Sequence, residues 1–123
     1  MEPRRVILLV NRNQRNLRLL VRLIEHAGYP TLSAVNLEAF DQALTNPASV
    51  ALALIDVTGF NEAIWQRCDQ LFQETIPFLV IAPRDLPALH QACLAHGARQ
   101  TLIKPLAPQE LMGAVHRLME AGL

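Results

Sequence analysis

The sequence predicts an α/β domain in which a five-stranded parallel sheet is covered on both faces by helices. Three observations predict it. Val50–Asp56 (VALALID) and Arg5–Val10 (RVILLV) are short, unbroken apolar runs rich in branched side chains, as strands buried on both faces require. Each run ends abruptly on polar residues: Asp56 in the first, Asn11, Arg12 and Asn13 after the second. Between these runs lie stretches whose apolar residues recur at three and four, the spacing of a one-faced helix.

Taken in order, Arg5–Val10 is a central strand, and Asn13 can cap a helix that buries Leu17, Leu20, Val21 and Ile24 and closes at Gly28. Thr31–Val35 is a short strand. Asn36 then caps a second helix with Leu37, Phe40, Ala43 and Leu44 inward, stopped by Asn46 and Pro47. After the VALALID strand, a third helix starts near Asn61 and turns Ile64, Trp65, Cys68, Leu71 and Phe72 to the core. Phe78–Ala82 is the fourth strand. Asp85 caps a helix with Pro87 in its first turn, Leu89 and Cys93 inward and Gly97 as its stop. Arg99–Ile103 is the last strand, and Pro108 opens a helix holding Leu111, Val115 and Leu118. Five strands alternating with five helices make a three-layer sandwich. Right-handed crossovers leave few doubly wound orders, and the flavodoxin-like order 2-1-3-4-5 is the common one at this size. That order places Asn11, Arg12 and Asp56 at one crevice, with Ala82 and Lys104 on its other side.

The totals restrict the function classes. The chain of 123 residues is expected to form a single domain over residues 1–123, with a 51% hydrophobic content suited to a real core. Eleven basic and eleven acidic residues cancel, so no global field draws it to nucleic acid or an anionic membrane. Cys68 and Cys93 are too few and too far apart for a disulfide framework or metal cage, and a reducing, cytoplasmic setting is expected. No stretch has the length of a membrane span, and Met1–Arg5 leads into a strand without a signal-peptide apolar region.

The segments VILLVNRNQRNLRLL, LALIDV, PFLVIAPRD and GARQTLIKPLAPQEL together resemble the receiver domain of two-component response regulators, in the family's order and spacing and across essentially the whole chain. The resemblance implies that Asp56 stands at the phosphoryl-acceptor position and that Lys104 with Pro105 stands at the family's Lys-Pro. Other positions depart from the pattern. Asn11 and Arg12 replace the acidic pair that helps bind Mg²⁺, Ala82 replaces a Ser or Thr, Thr101 replaces a switch aromatic, and Phe60 stands where a Pro is usual. The loop after Asp56 includes Thr58, expected in the crevice.

These departures have chemical consequences. Mg²⁺ prefers oxygen ligands, but Asn11 offers only a neutral oxygen and the cationic Arg12 has no lone pair to give. Ala82 has no hydroxyl for a phosphoryl oxygen, and Thr101 has no ring to move. The expected function is therefore an atypical receiver, a protein-protein interaction module of phosphorelay signalling with little or no Mg²⁺-dependent phosphorylation and no cofactor. The alternative is a working phospho-acceptor, phosphorylated on Asp56 by a histidine kinase. Arg12 is further expected to reach across the crevice and pair with Asp56 in place of the missing cation.

An enzyme on the same sheet is disfavoured. NRNQRN after the first strand has no Gly, Ser or Thr to surround a nucleotide or flavin phosphate, and neither a GxSxG elbow nor a Walker-type lysine loop is present. His26, His90, His96 and His116 read as solvated helix positions. Arg4, Arg5, Arg12, Arg15, Arg18 and Arg22 place six of the eleven basic residues in the first 22. A solvated helix face is the simpler reading; docking of a partner through Arg15, Arg18 and Arg22 is the functional one. The resemblance implies a histidine kinase, phosphotransfer protein or output domain as partner. Where a homodimer or partner contact forms, the resemblance implies the face of the fourth helix, fifth strand and fifth helix, or the first helix. Membrane association is not expected, and nucleic acid is disfavoured by the balanced charge and the lack of a stacking set.

Overall fold

The computed structural model describes residues 5–84 and 86–121. Its elements are β1 (Val6–Val10), α1 (Gln14–His26), β2 (Thr31–Ala34), α2 (Leu37–Ala43), β3 (Val50–Asp56), α3 (Ala63–Gln73), β4 (Phe78–Ala82), α4 (Pro87–Ala95), β5 (Gln100–Ile103) and α5 (Pro108–Ala121). A single 3₁₀ turn, Pro47–Ser49, leads into β3. All strand pairs are parallel, in the order β2-β1-β3-β4-β5.

The apolar strands divide their side chains between two cores, because successive residues point to opposite faces. Ile7, Leu9, Leu52, Leu54, Leu79, Ile81 and Leu102 meet α1 and α5 through Leu17, Ile24, Leu111 and Val115. Leu8, Val10, Ala53, Ile55, Phe78 and Val80 meet α2, α3 and α4 through Phe40, Ile64, Leu71 and Cys93. Each fully buried Leu, Ile or Phe contributes roughly 1.5–3 kcal/mol of transfer free energy, so these two layers hold the sheet and thereby its carboxyl edge.

Local signals end the helices where the sequence places them. Asn13 Oδ1 accepts from Asn16 N at 3.0 Å and Asn36 Oδ1 from Ala39 N at 2.8 Å, each satisfying a first-turn donor. Gly97 follows α4 with φ +93°, and a Cβ there would both strain the backbone and overlap the Phe72 ring.

Several expectations need correction. Phe72 is not a core residue: it lies one position past the buried Leu71, is 63% exposed, and covers Gly97. Trp65 packs against the core as expected but stays half-buried, and it stacks on His96, with centroids 5.1 Å apart. His96 follows α4 and pairs through Nδ1 with Asp69 of α3, so it is not a free surface group. The other histidines are exposed as expected: His26, His90 and His116, the last with its Nδ1 2.6 Å from Tyr29 Oη. Helix α3 begins at Ala63, with Asn61 Oδ1 accepting from Ala63 N, two residues later than its sequence signal. β2 ends at Ala34 and β5 starts at Gln100, each one residue shorter than expected. The cap expected of Asp85 lies outside the described residues, as does Arg4.

Cys68 and Cys93 are free and completely buried in the α3/α4 layer. Burial, reinforced by Cys93 and Asp69, pushes the Cys68 thiol up to about 12, and burial also raises Cys93. A folded-state pKa above the unfolded value means the fold favours the neutral thiol. That contribution is complete below the unfolded value of 9.0 and is lost as pH rises towards about 12. Both thiols are therefore expected to resist a thiol reagent in the native state at neutral pH, reacting at the rate of unfolding. Denaturant midpoints should fall above about pH 9 and fall less in Cys68→Ala, each measured against its own neutral value.

Candidate functional site

The site is built at the carboxyl edge of β1, β3 and β5. Parallel register pairs Val10 with Ile55, which brings the next residues, Asn11 and Asp56, side by side. Asp56 is the last residue of β3 and only 2% exposed, the single buried acid among the described residues. A carboxylate so placed must find replacement for its lost hydration.

Its three partners supply that replacement. Lys104 Nζ lies 2.7 Å from Asp56 Oδ2, and Asn11 Nδ2 donates to the same oxygen at 3.3 Å. Thr58 N donates to Oδ1 at 3.0 Å. Lys104 Nζ also donates to Thr58 Oγ1 at 3.1 Å, tying the β5–α5 and β3–α3 loops together. Its backbone N–H donates to Ala82 O at 3.0 Å, which fixes where the lysine leaves the sheet.

Asn11 is set in one orientation by two demands. Its Oδ1 accepts from Asn13 N at 2.8 Å while its Nδ2 faces the carboxylate, and the two ends cannot be exchanged without losing both bonds. A carboxylate here would keep the first bond and set a like charge against Asp56.

Arg12 contradicts the expectation of an Arg12–Asp56 pair. It is exposed, makes no ion pair with Asp56, and lies along the β3–α3 loop, its Cζ 5.7 Å from the centre of the Phe60 ring. The reason is alternation at the strand end. Asn11 takes the Asp56 side, so Arg12 is turned outward over Gly59 and Phe60, where its guanidinium keeps its water and a ring face. Lys104, arriving from the other side, already occupies the carboxylate.

The remaining expected positions fall around this centre. Ala82 is fully buried at the end of β4, next in register to Ile103. Thr101 lies on β5 with its hydroxyl buried and without a hydrogen-bond partner among the described residues. Arg15, Arg18 and Arg22 are exposed on α1. No described group of three His, Cys, Asp or Glu side chains could hold a metal ion. The donor set around Asp56, an amide, an ammonium and a backbone N–H, does not fit Mg²⁺, which asks for several oxygens. No described helix is long and apolar enough to cross a membrane.

Two cavities open beside Asp56. One of about 320 Å³ has polar side chains around it, from Asn11, Arg12, Asn13, Asn16, Thr58 and Lys104. An apolar groove of about 710 Å³ runs between α1 (Leu19, Leu20, Leu23) and the start of α5 (Leu106, Pro108, Leu111), with Asn11, Asp56 and Lys104 at its end. The groove is not among the sequence expectations. Its signal is Leu19, which widens the apolar stripe of α1 beyond what its core contact uses.

No family model and no curated protein sequence matches the chain. Solved structures do. A response regulator receiver domain protein from Clostridium thermocellum superposes with TM-score 0.84 at 18% identity, covering 95% of each chain. A two-component response regulator from Clostridium difficile gives 0.83 at 21%, covering 95% of this chain and 97% of the other. The fold is that of response-regulator receiver domains. A receiver fold also underlies a protein assigned to pilus assembly in Burkholderia thailandensis, with TM-score 0.81 at 19% identity over 94% of this chain and 98% of that one. At such identities the comparison carries architecture, and what a receiver fold does here depends on the side chains at its edge.

Breaking the pair from its two ends should cost unequally. Lys104→Met leaves a buried carboxylate without its cation and should lower unfolding stability by about 2–3 kcal/mol, discounted from a fully buried pair because Lys104 is partly exposed. Asp56→Asn frees a lysine that can reach water and should cost less. In a double-mutant cycle by urea denaturation, the double variant should be more stable than Lys104→Met alone.

Proposed function

We propose that the protein is an atypical receiver: a signalling module of two-component type that works through protein-protein contacts in one constitutive state, with little or no Mg²⁺-dependent phosphorylation. One observation carries the reading. Asp56 is neutralised by Lys104 at 2.7 Å and hydrogen-bonded by Asn11 and Thr58, while the position that would add acidic ligands presents Arg12. Phosphoryl transfer needs charge neutralisation on the transferring group, and a divalent ion has no place in this donor set. Ala82 and Thr101 further remove the hydroxyl and the ring through which the resembling family responds. A histidine kinase, phosphotransfer protein or output domain is the proposed class of partner.

A second reading has one observation in its favour. Asp56 Oδ1 accepts a single hydrogen bond, from Thr58 N, and Lys104 stands where it could stabilise an acyl phosphate. A phospho-acceptor with weakened metal dependence would use this geometry.

Acetyl phosphate with Mg²⁺, read by intact mass, separates the two. The proposed function predicts no phosphoryl adduct on the wild type. The Asn11→Asp, Arg12→Asp variant, which restores a carboxylate cluster, should gain Mg²⁺ binding and a slow adduct that Asp56→Asn removes. A stoichiometric adduct on wild-type Asp56 would establish the second reading.

A further inference from the structure

The polar cavity and the apolar groove meet at Asn11, Asn16 and Lys104, which line both. We propose that together they form a binding site for a small amphipathic anion, a carboxylate or phosphate monoester carrying an apolar chain or ring. The proposal rests on the reading of this crevice as one that does not take Mg²⁺.

The charge at the crevice decides the sign of the ligand. Asp56 carries one negative charge, met by Lys104. Arg12 adds a permanent positive charge and has no ion-pair partner among the described residues. The polar cavity therefore holds one uncompensated cation, with donors around it. Thr58 Oγ1 accepts from Lys104, so its own O–H is free to donate. Asn13 spends its Oδ1 on Asn16 N, which leaves its side-chain N–H groups for a ligand. A guanidinium, a hydroxyl and an amide within one cavity suit a carboxylate or phosphate oxygen set.

The groove decides the rest of the ligand. Its volume of about 710 Å³ is that of a small-ligand cavity, and leucine and proline line most of it, with Asn11, Asn16, Asp56 and Lys104 at its polar end. Leu19 remains 57% exposed on its rim, apolar surface that a bound chain would cover. Inorganic phosphate would use only the crevice and an uncharged alkane only the groove. A molecule with both parts uses the whole site, its head on Arg12 and Thr58 and its body between α1 and α5.

The test is a ¹⁵N-resolved NMR titration of the full chain with octyl phosphate below its micelle threshold, beside inorganic phosphate, octanol and Mg²⁺ as separate titrants. Saturable shifts with octyl phosphate should appear both at Thr58 and Gly59 and at Leu20, Leu23 and Leu106. Its affinity should exceed that of inorganic phosphate and of octanol by about tenfold or more, as burial of several methylenes beside an anion contact requires. Arg12→Ala and Leu19→Asp change exposed side chains and leave the fold intact, and each should weaken octyl phosphate about fivefold or more. Equal affinity for octyl phosphate and octanol, unchanged binding in Arg12→Ala, or shifts confined to the exposed Phe72 and Leu94 would overturn the site. Saturable Mg²⁺ shifts at Asn11 and Asp56 at low millimolar concentration would overturn the metal-free reading and this proposal with it. Silence towards both Mg²⁺ and octyl phosphate would overturn this proposal alone.

Discussion

A carboxylate buried at the end of a central strand must be compensated, and the Asp56–Lys104 pair is how this molecule does so. Leaving such a charge unpaired costs several kcal/mol, comparable with much of the net stability of a domain this size. Everything nearest the pair serves it. Asn11 turns its amide towards it, Thr58 gives it a backbone N–H and takes a bond from the lysine, and the β5–α5 loop is held against the β3–α3 loop by the same ammonium. In the resembling family acidic residues neighbour such a carboxylate; here those positions are Asn11 and Arg12, and Asn11 gives the carboxylate an amide N–H instead.

The sheet supplies the precision. Parallel register between β1 and β3 sets Asn11 beside Asp56, and the pairing of β4 with β5 delivers Lys104 from the far side of β4. Both rest on two apolar layers that leave little freedom to shift, since a one-residue slip would exchange the faces of every strand side chain. The same register keeps Arg12 off the carboxylate: with Asn11 inward, its neighbour must face out. On the reading proposed above, the outward arginine makes the crevice a place for an anion rather than for a metal.

The architecture is legible in the sequence because apolar runs, Asn caps and Gly stops all agree, which is the condition for a local pattern to report a global fold. The Asp56–Lys104 neighbourhood is legible for the same reason, as each residue ends a strand that the order brings together. Arg12 is not: its reach permits a pair with Asp56, but Asn11 and Lys104 take that carboxylate and Arg12 lies over Gly59 and Phe60. Phe72 reads as core by helical spacing but lies one step, about 100°, past Leu71, where a large ring serves as a lid over Gly97. His96 looks like a free surface group until tertiary packing brings Asp69 to it. The apolar groove depends on how far α5 stands from α1, a distance no residue pattern encodes.

The central claim is that Lys104, and no divalent ion, neutralises Asp56. Its most direct measurement is the thermal unfolding midpoint at constant ionic strength as Mg²⁺ is raised from zero to about 10 mM, since an ion that binds only the folded state must raise it by linkage. The account predicts a midpoint that does not move. A midpoint that climbs with the logarithm of Mg²⁺ concentration, and stops climbing in Asp56→Asn, would contradict it.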